Sequence, residues 1–532
     1  MTFGQKSRLA SLAYKEKVNR FFAISLSWRY SIMWSPDSFM SHEQYLAFLD
    51  RYDTPAGPEG KLFMSDAYPR EYFIMRNLDL DPIIPLVQSL YHPTHGAPVR
   101  NQMQLFRSSI LFTMCFGTTP AKESLTLWVD HLKKGTPLMY MIGCDSSDSV
   151  PSLGSHYNLM DRLWQSSSLL TRSDLLPFNK DELRRGNPQI GGDGKMMEEH
   201  QEENTIAAAE AIRNGLKPAS NPEALLQSIL SLTAIASSIR HGLINPNNCI
   251  LSGDGTCVHS HASPRGHHDR SLPLESPSRH FSDPDADWGY DSDLKKRYYG
   301  HTLYMLAYRN DVLRVELPIC FKYTSARRHD SLNFLFTYSD FRRNISGLSP
   351  SMFCLDSAHD NMPTYTLLSD DGIIPVIDLN MKTPLNSDGL SEGFTYDSDG
   401  NIRCRNNSTM VFSQFDKIKQ KNKYRCPFAC GNVGECKYRE LCQKKVTDYG
   451  RSIYVSLPDD IRFNPGIQRG SDEWKDVYRQ RTACERLNNR VLNDYRLADL
   501  FIHTARRYAF FTLMIMIAIH MDAIYRFRGI SA

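Results

Sequence analysis

Three carboxylates far apart in the chain, Asp254, Asp356 and Glu485, have the types and settings to hold a divalent cation. Asp254 closes the short apolar run Cys249-Ile-Leu-Ser-Gly-Asp254 and is followed by Gly255, which places it on a strand whose backbone can distort. Asp356 repeats the arrangement in Phe353-Cys-Leu-Asp-Ser-Ala-His-Asp360, at the end of a strand and just before a helix. A carboxylate so placed has buried apolar neighbours and turns its own oxygens to the open edge of the sheet. Two of them on neighbouring strands make a hard, oxygen-rich site suited to Mg²⁺ or Mn²⁺. Taken singly, such an Asp also serves as a cap on the turn or helix that follows. The third element adds weight, because Tyr478, Arg481 and Glu485 are spaced three and four apart. On a helix that spacing stacks a phenol, a guanidinium and a carboxylate along one face, although a surface ion pair also explains an Arg and a Glu four apart.

Cys426, Cys430, Cys436 and Cys442 lie within seventeen residues of one another. Four thiolates suffice for a tetrahedral, structural Zn²⁺, but Cys-x3-Cys-x5-Cys-x5-Cys lacks the tight Cys-x2-Cys knuckle, and free buried thiols are the alternative. Around them, residues 403–445 carry eleven Lys and Arg against three acidic residues, Lys421, Lys423 and Arg425 included. That is the electrostatic footprint expected for a DNA backbone, and a solvated hairpin surface is the other reading. His259, His261, His267 and His268 have no rigid ligand spacing and read as a polar loop. Ser252 lacks the flanking glycines of a nucleophile elbow, and no phosphate-binding glycine loop occurs.

The chain that must position these groups has 532 residues, 41% of them hydrophobic, enough for two to four domains and a large core. A net charge of +3 excludes a polycation, so any affinity for phosphates has to be local. Cysteines scattered singly in apolar runs, as in Ile319-Cys320-Phe321, suit a reducing compartment. Lys6, Arg8, Lys15, Lys17 and Arg20 are interleaved with polar residues rather than followed by an apolar leader core. The run Ala509 to Ile519 is shorter than the ~20 residues of a membrane span and is expected to be a buried helix.

Apolar residues at three- and four-residue spacing predict helices over Glu43 to Tyr52, Asn101 to Cys115, Leu125 to Leu132 and Asp174 to Leu183. Residues 1–183 therefore form a mostly helical N-terminal region, 184–204 a linker, and 205–380 the first part of an α/β core. Strands are expected at Cys249 to Asp254, Leu303 to Tyr308, Val312 to Tyr323, Met352 to Asp356 and Ile373 to Leu379, with helices at Leu332 to Arg343 and Met362 to Leu368. That order implies a mixed five-stranded sheet opening on an antiparallel meander. Ser263 to Arg297 reads as a loop. The 128 residues between Asp356 and Glu485 leave room for an insertion subdomain, 381–470, ahead of C-terminal helices, 471–532, that complete the core.

Asp254, Asp356 and Glu485, with Tyr-x2-Arg-x3-Glu around the last, resemble the DDE transposases of bacterial insertion sequences, members of the retroviral-integrase superfamily. Asp-Ser-Ala-His-Asp-Asn after the fourth strand is similar to their Asp-Ser-Ala-Tyr-Asp segment. Ile374-Pro-Val-Ile377 resembles the strand that follows, and Phe281 to Tyr290 with Tyr299-Gly-His resembles the segment between the first two strands. The likeness covers roughly Asn247 to Ala523. One departure is Leu492, where the family pattern has a Lys seven residues after the Glu; Arg490 and Arg496 are the nearest cations to replace it.

The resemblance implies an RNase H-like core and two-metal phosphoryl transfer with Mg²⁺ or Mn²⁺ held by Asp254, Asp356 and Glu485. Tyr478, Arg481, Arg490 and Arg496 would position phosphates, and His359 and Asp360 would support the metal ligands. The implied partner is double-stranded DNA, as terminal inverted repeats and target, bound by a homodimer or larger assembly in a bacterial cytoplasm at the nucleoid, with no membrane involved. An RNase H-like nuclease without strand transfer, and a degenerate transposase that only binds DNA, stay open as alternatives.

Overall fold

The computed structural model describes residues 39–527 other than 56–59, 93–99, 116–123, 166–194, 266, 269–278, 292–293, 381–389 and several short stretches between 398 and 470. The helix expected over 174–183 lies outside the described residues. So does the first half of the expected linker, while its second half is not extended chain: it begins helix α6.

Among the described residues the longer helices ahead of the sheet are α1 (His42–Tyr52), α2 (Pro69–Asn77), α3 (Gln102–Cys115), α4 (Leu125–Leu132), α5 (Leu153–Leu163), α6 (Lys195–Arg213) and α7 (Ala224–Arg240), with short helical segments at Ile84–Gln88 and Pro137–Met141. Serine caps fix several of their starts, as Ser41 accepts from the Gln44 amide and Ser152 from that of Ser155. The sheet comprises β1 (Cys249–His259), β2 (Asp287–Asp291), β3 (Lys296–Asn310), β4 (Val315–Ser325), β5 (Pro350–Leu355) and β6 (Ile374–Ile377), with α8 (Asp330–Asn344) and α9 (Met362–Asp370) in the crossovers. Its strand order is β2-β3-β1-β5-β6, and β4 also pairs with β3. β1, β2 and β4 run antiparallel to β3, whereas β1 with β5 and β5 with β6 are parallel.

The fold is thus α/β with a mixed sheet, as the pattern of runs implied, but the sheet has six strands rather than five. The additional strand, β2, lies within the stretch expected to be a loop. Its Asp-Trp-Gly-Tyr-Asp composition hides it, and tertiary contacts hold it. Asp287 accepts from Ser325 Oγ at 3.0 Å and pairs with Arg327 at 3.1 Å, and a Cβ on Gly289 would lie 2.4 Å from the Ala326 carbonyl. Nearby, buried Asp283 receives both Ser260 Oγ and His301 Nε2, which anchors the chain between β1 and β3.

After the sheet come a small three-stranded sheet of β7 (Val411–Asp416), β8 (Lys421–Arg425) and β9 (Ser452–Ser456), then α10 (Asp472–Tyr478), α11 (Thr482–Asn489) and α12 (Ala505–Phe527). The small sheet has its own cluster of six buried residues, Phe394, Ile402, Met410, Tyr424, Ile453 and Val455. The N-terminal helices, by contrast, share one contiguous core with the large sheet.

The centre of that core is α12, 23 residues against the eleven of the apolar run. It is long and apolar enough to cross a membrane by length and composition, yet most of it is buried within the fold. Phe511 packs on Phe112 of α3, and His520 bridges Ser238 Oγ and the Pro318 carbonyl, each at 2.7 Å. Asp522 receives a two-pronged Arg70 at 2.7 Å. Polar groups that would be intolerable in hydrocarbon are thereby satisfied inside protein.

Candidate active site

β1 pairs with β5 only as far as Ser252 opposite Cys354, but continues beside β3 to His259 opposite Gly300. Where β5 leaves, β1 loses a neighbour and the sheet opens. Asp254 and Asp356 each lie two residues beyond that last pair, so they share one face at the point where β5 ends and β1 runs on beside β3 alone. This is the position where open α/β sheets place ligands. Asp356 also caps the short turn Ser357–His359 by accepting from the Ala358 amide, the capping role that such an Asp was expected to be able to fill.

Burial pushes the Asp254 carboxyl up to about 7, reinforced by the neighbouring charges of Asp330 and Asp356. Asp330 opens α8, where the helix N-terminus favours a carboxylate. It comes close because Gly255 has no side chain: a Cβ there would stand 2.4 Å from Asp330 Oδ1. Burial opposes ionisation of Asp356 as well, but the hydrogen bond and charge of His359 outweigh it and hold that carboxyl below the usual range. His359 is fully buried, with Nδ1 2.5 Å from Asp356 Oδ1 and Nε2 2.8 Å from the Tyr304 hydroxyl. Burial lowers its basicity, yet Asp356, Asp330 and Asp254 together raise it above the ordinary value. The expected supporting role of His359 has this geometry behind it. Asp360 is otherwise engaged, since it takes both arms of Arg462 (2.8 and 2.5 Å), the Tyr365 hydroxyl and the Asn380 amide.

The third carboxylate comes from α11, which reaches the sheet through buried Cys484, whose Sγ lies 3.3 Å from the Met305 carbonyl. Glu485 is half-exposed and pairs with Arg481 at 2.7 Å. Asp254 feels the charge of Glu485, and Asp356 that of Arg481, so the three segments converge. The same helix face carries Asn488, whose Nδ2 lies 3.4 Å from Asp254 Oδ2. The sequence pattern points past it to position 492. There Leu492 packs against the core, because the helix widens into a π turn over Arg490–Asp494.

That turn overturns the expectation for Arg496. The helix does not continue, Arg496 takes a left-handed backbone (φ 56°), and its guanidinium pairs with Asp499 at 2.6 Å. Arg490 lies near Tyr495 and His520 rather than beside the carboxylates. Tyr478 is largely a packing residue: its ring stacks on Trp474 at 4.6 Å and lies against Cys354, Val376 and Ile467. The polar loop expected at the histidines is partly strand: His259 ends β1 and stacks on Tyr298, and His267–His268 pair with Arg279–His280, while His261 lies against Phe501.

In the small sheet, Lys421, Lys423 and Arg425 alternate with Asn422 and Tyr424, which are buried. The three cations therefore share the outer face. Lys423 donates to the Tyr449 hydroxyl at 2.7 Å and Arg425 lies 3.7 Å over the Tyr449 ring, which makes a basic surface interleaved with aromatics. Of the cysteines, Cys426, Cys436 and Cys442 are half-buried and Cys430 is exposed.

Among the described residues, no three His, Cys, Asp or Glu side chains stand ready to hold a metal ion. The donor chemistry at the sheet opening nevertheless fits a hard cation. Asp254, Asp330, Asp356 and Glu485 supply carboxylates, and the buried Oδ1 of Asn488 has no partner among the described residues. Asp254 and Asp330 are both pushed upward, the sign of a site short of positive charge. No family model matches the chain, and no curated protein matches it.

Proposed function

We propose that this chain is a DDE-type DNA transposase with an RNase H-like core. The observation that carries the reading is the placement of Asp254 and Asp356 on one face where β5 ends beside β1, with Glu485 brought to them on α11. The order β1, then β2, β3 and β4 in antiparallel pairing, helix, strand, helix, strand ahead of α11 supports it.

In this reading Asp254, Asp356 and Glu485 would hold two Mg²⁺ or Mn²⁺ ions, which when bound would supply Lewis-acid stabilisation to an in-line phosphoryl displacement. The chain's own groups do the rest. Arg481 offers a fixed guanidinium fork to a DNA phosphate but cannot act as a base, because it stays protonated. His359 keeps Asp356 ionised and fixed in direction. Asn488 donates to Asp254 Oδ2 and would help orient it. The outward row of Lys421, Lys423 and Arg425 would contact backbone phosphates, setting position more than sequence. Pairing two inverted-repeat ends calls for a homodimer or larger assembly on DNA, working in a bacterial cytoplasm at the nucleoid.

The test is incubation of purified protein with DNA carrying the ends that flank its gene, in Mg²⁺ or Mn²⁺, beside Asp254→Asn, Asp356→Asn and Glu485→Gln. Cleavage at the ends by wild type and by none of the variants is the expected result. Cleavage of unrelated DNA with equal efficiency, and no joining, would favour a nuclease.

A further inference from the structure

The two-stranded arm that β2 forms with the start of β3 is inside out. β1 and β4 pair with β3 no further than Gly300 and His301, and beyond them Lys296 to Tyr299 pair with β2. Side chains alternate across a strand, and on β2 the inward positions are Asp287, Gly289 and Asp291, the outward ones Trp288 and Tyr290. The inner face is already covered. Gly289 stands against Ala326, Tyr298 stacks on His259 at 5.0 Å, and Asp287 holds Ser325 and Arg327. A strand that served only the core would turn its aromatics inward and its carboxylates out.

On the outer face Trp288 is 41% exposed and Tyr290 61%. The register sets Trp288 opposite Tyr299, ring centroids 5.6 Å apart, and Tyr290 opposite Arg297. Arg297 therefore shares the aromatic face, and it is exposed, as are Lys295 and Lys296 beside it. The acidic residues described on the arm, Asp287 and Asp291, are buried on the other face. Aromatic rings and positive charge are thus segregated from the carboxylates and presented to solvent together.

We propose that this face binds an unpaired DNA strand, with bases stacked on Trp288 and Tyr290 and phosphates held by Lys295, Lys296 and Arg297. The assignment rests on the DNA-processing reading above and adds a form of substrate to it. Cations alone would serve a duplex backbone equally well. Stacking on a ring needs a base whose face is free, so the two rings set the preference for a single strand, and they do so without regard to sequence. The arm is also within reach of the carboxylates. Met305 lies opposite Asp254 and Arg297 lies on the arm, which at ~3.3 Å per residue of β3 separates the two sites by about 25 Å. That is the length of about seven stacked nucleotides.

The experiment measures binding apart from cleavage, with the full chain in chelator and a short fluorescein-labelled oligonucleotide of mixed sequence, single-stranded or annealed to its complement. By anisotropy, Trp288→Ala combined with Tyr290→Ala should weaken single-strand binding at least ~10-fold and duplex binding less than ~2-fold. Trp288→Phe keeps a ring and should retain single-strand affinity within ~3-fold. In wild-type protein, photo-cross-links from a bromouracil-substituted strand, mapped by mass spectrometry, should fall on Trp288 or Tyr290, a readout that needs no variant to fold. No single-strand binding by wild type, equal losses for strand and duplex, or cross-links confined to the small sheet would each overturn the proposal. So would a wild-type dimer that the double variant breaks with DNA affinity unchanged, because the face would then join two copies of the chain. Cleavage of element ends by wild type alongside any of these failures would leave the DNA-processing reading intact.

Discussion

Asp254 and Asp356 share one face of neighbouring parallel strands, yet their surroundings drive them in opposite directions. Burial and Asp330 raise Asp254 to about 7, while His359 holds Asp356 below the usual carboxylate range. A carboxyl whose folded pKa exceeds its unfolded value near 3.8 binds its proton more tightly in the native state. Its charged form therefore destabilises the fold above about pH 4, increasingly up to about pH 7. Metal-free Asp254→Asn should be more stable than wild type at pH 8 by about 2 kcal/mol, roughly half the full shift because the residue keeps some solvent contact. The difference should vanish towards pH 4. Urea unfolding in chelator at several pH values measures it, and a less stable variant at pH 8 would refute the charge assignment.

His359 links the Tyr304 hydroxyl to Asp356 from a fully buried position. Replacing it with Ala strands a buried phenol and removes the partner of a carboxylate, a loss of about 2 to 3 kcal/mol. Tyr304→Phe removes only the outer bond and should cost about 1 kcal/mol. Equal effects in denaturant titrations would show that the two bonds do not form a chain.

Asp330 adds a fourth carboxylate beside the three that the motifs supply. Asp330→Asn should weaken Mn²⁺ binding about 10-fold, in the range found for groups that orient metal ligands. Isothermal titration with Mn²⁺ and no DNA reads this directly; an unchanged affinity would assign Asp330 to the fold alone.

Gly255 is required by the approach of that same carboxylate. Gly255→Ala should destabilise by about 1 to 3 kcal/mol, the usual cost of forcing a methyl into filled space. In an Asp330→Ala background the penalty should fall by more than half. A double-mutant cycle without coupling would mean the strand yields elsewhere.

Lys421, Lys423 and Arg425 lie in a row on the outer face of the small sheet. If they bind phosphates, replacing all three with Ala should lower DNA affinity and flatten the slope of log K against log salt by about 2 to 3. Fluorescence anisotropy at several salt concentrations tests this, and an unchanged slope would remove the face from the DNA path.

The parts of this arrangement that the sequence discloses are those where one local rule dominates. Continuous apolar runs announce β1, β3, β4, β5 and β6, and the run around Ala509 announces α12, because burial on both sides leaves no alternation to misread. β2 escapes because Asp287, Gly289 and Asp291 are poor strand formers held by Ser325, Arg327 and the Ala326 backbone, partners distant in sequence. Asp330 escapes because a single Asp before an apolar helix reads as a start signal. Its contact with Gly255 exists only once α8 has packed on β1. Asn488 was accessible from the 481, 485, 488 spacing, whereas the break that takes Arg496 away from that face depends on a π turn no spacing rule foresees.

If Asp254, Asp356 and Glu485 form one metal-dependent centre, as proposed, the protein should join DNA ends to new DNA. The most direct measurement supplies pre-cleaved element ends with free 3′-hydroxyls, a supercoiled target and Mg²⁺, and quantifies covalently joined product for wild type and Glu485→Gln. Joining by wild type that fails without Mg²⁺ and falls at least ~100-fold in the variant is the predicted result. Joining that proceeds undiminished in Glu485→Gln would exclude Glu485 from the metal centre and sink the transposase reading.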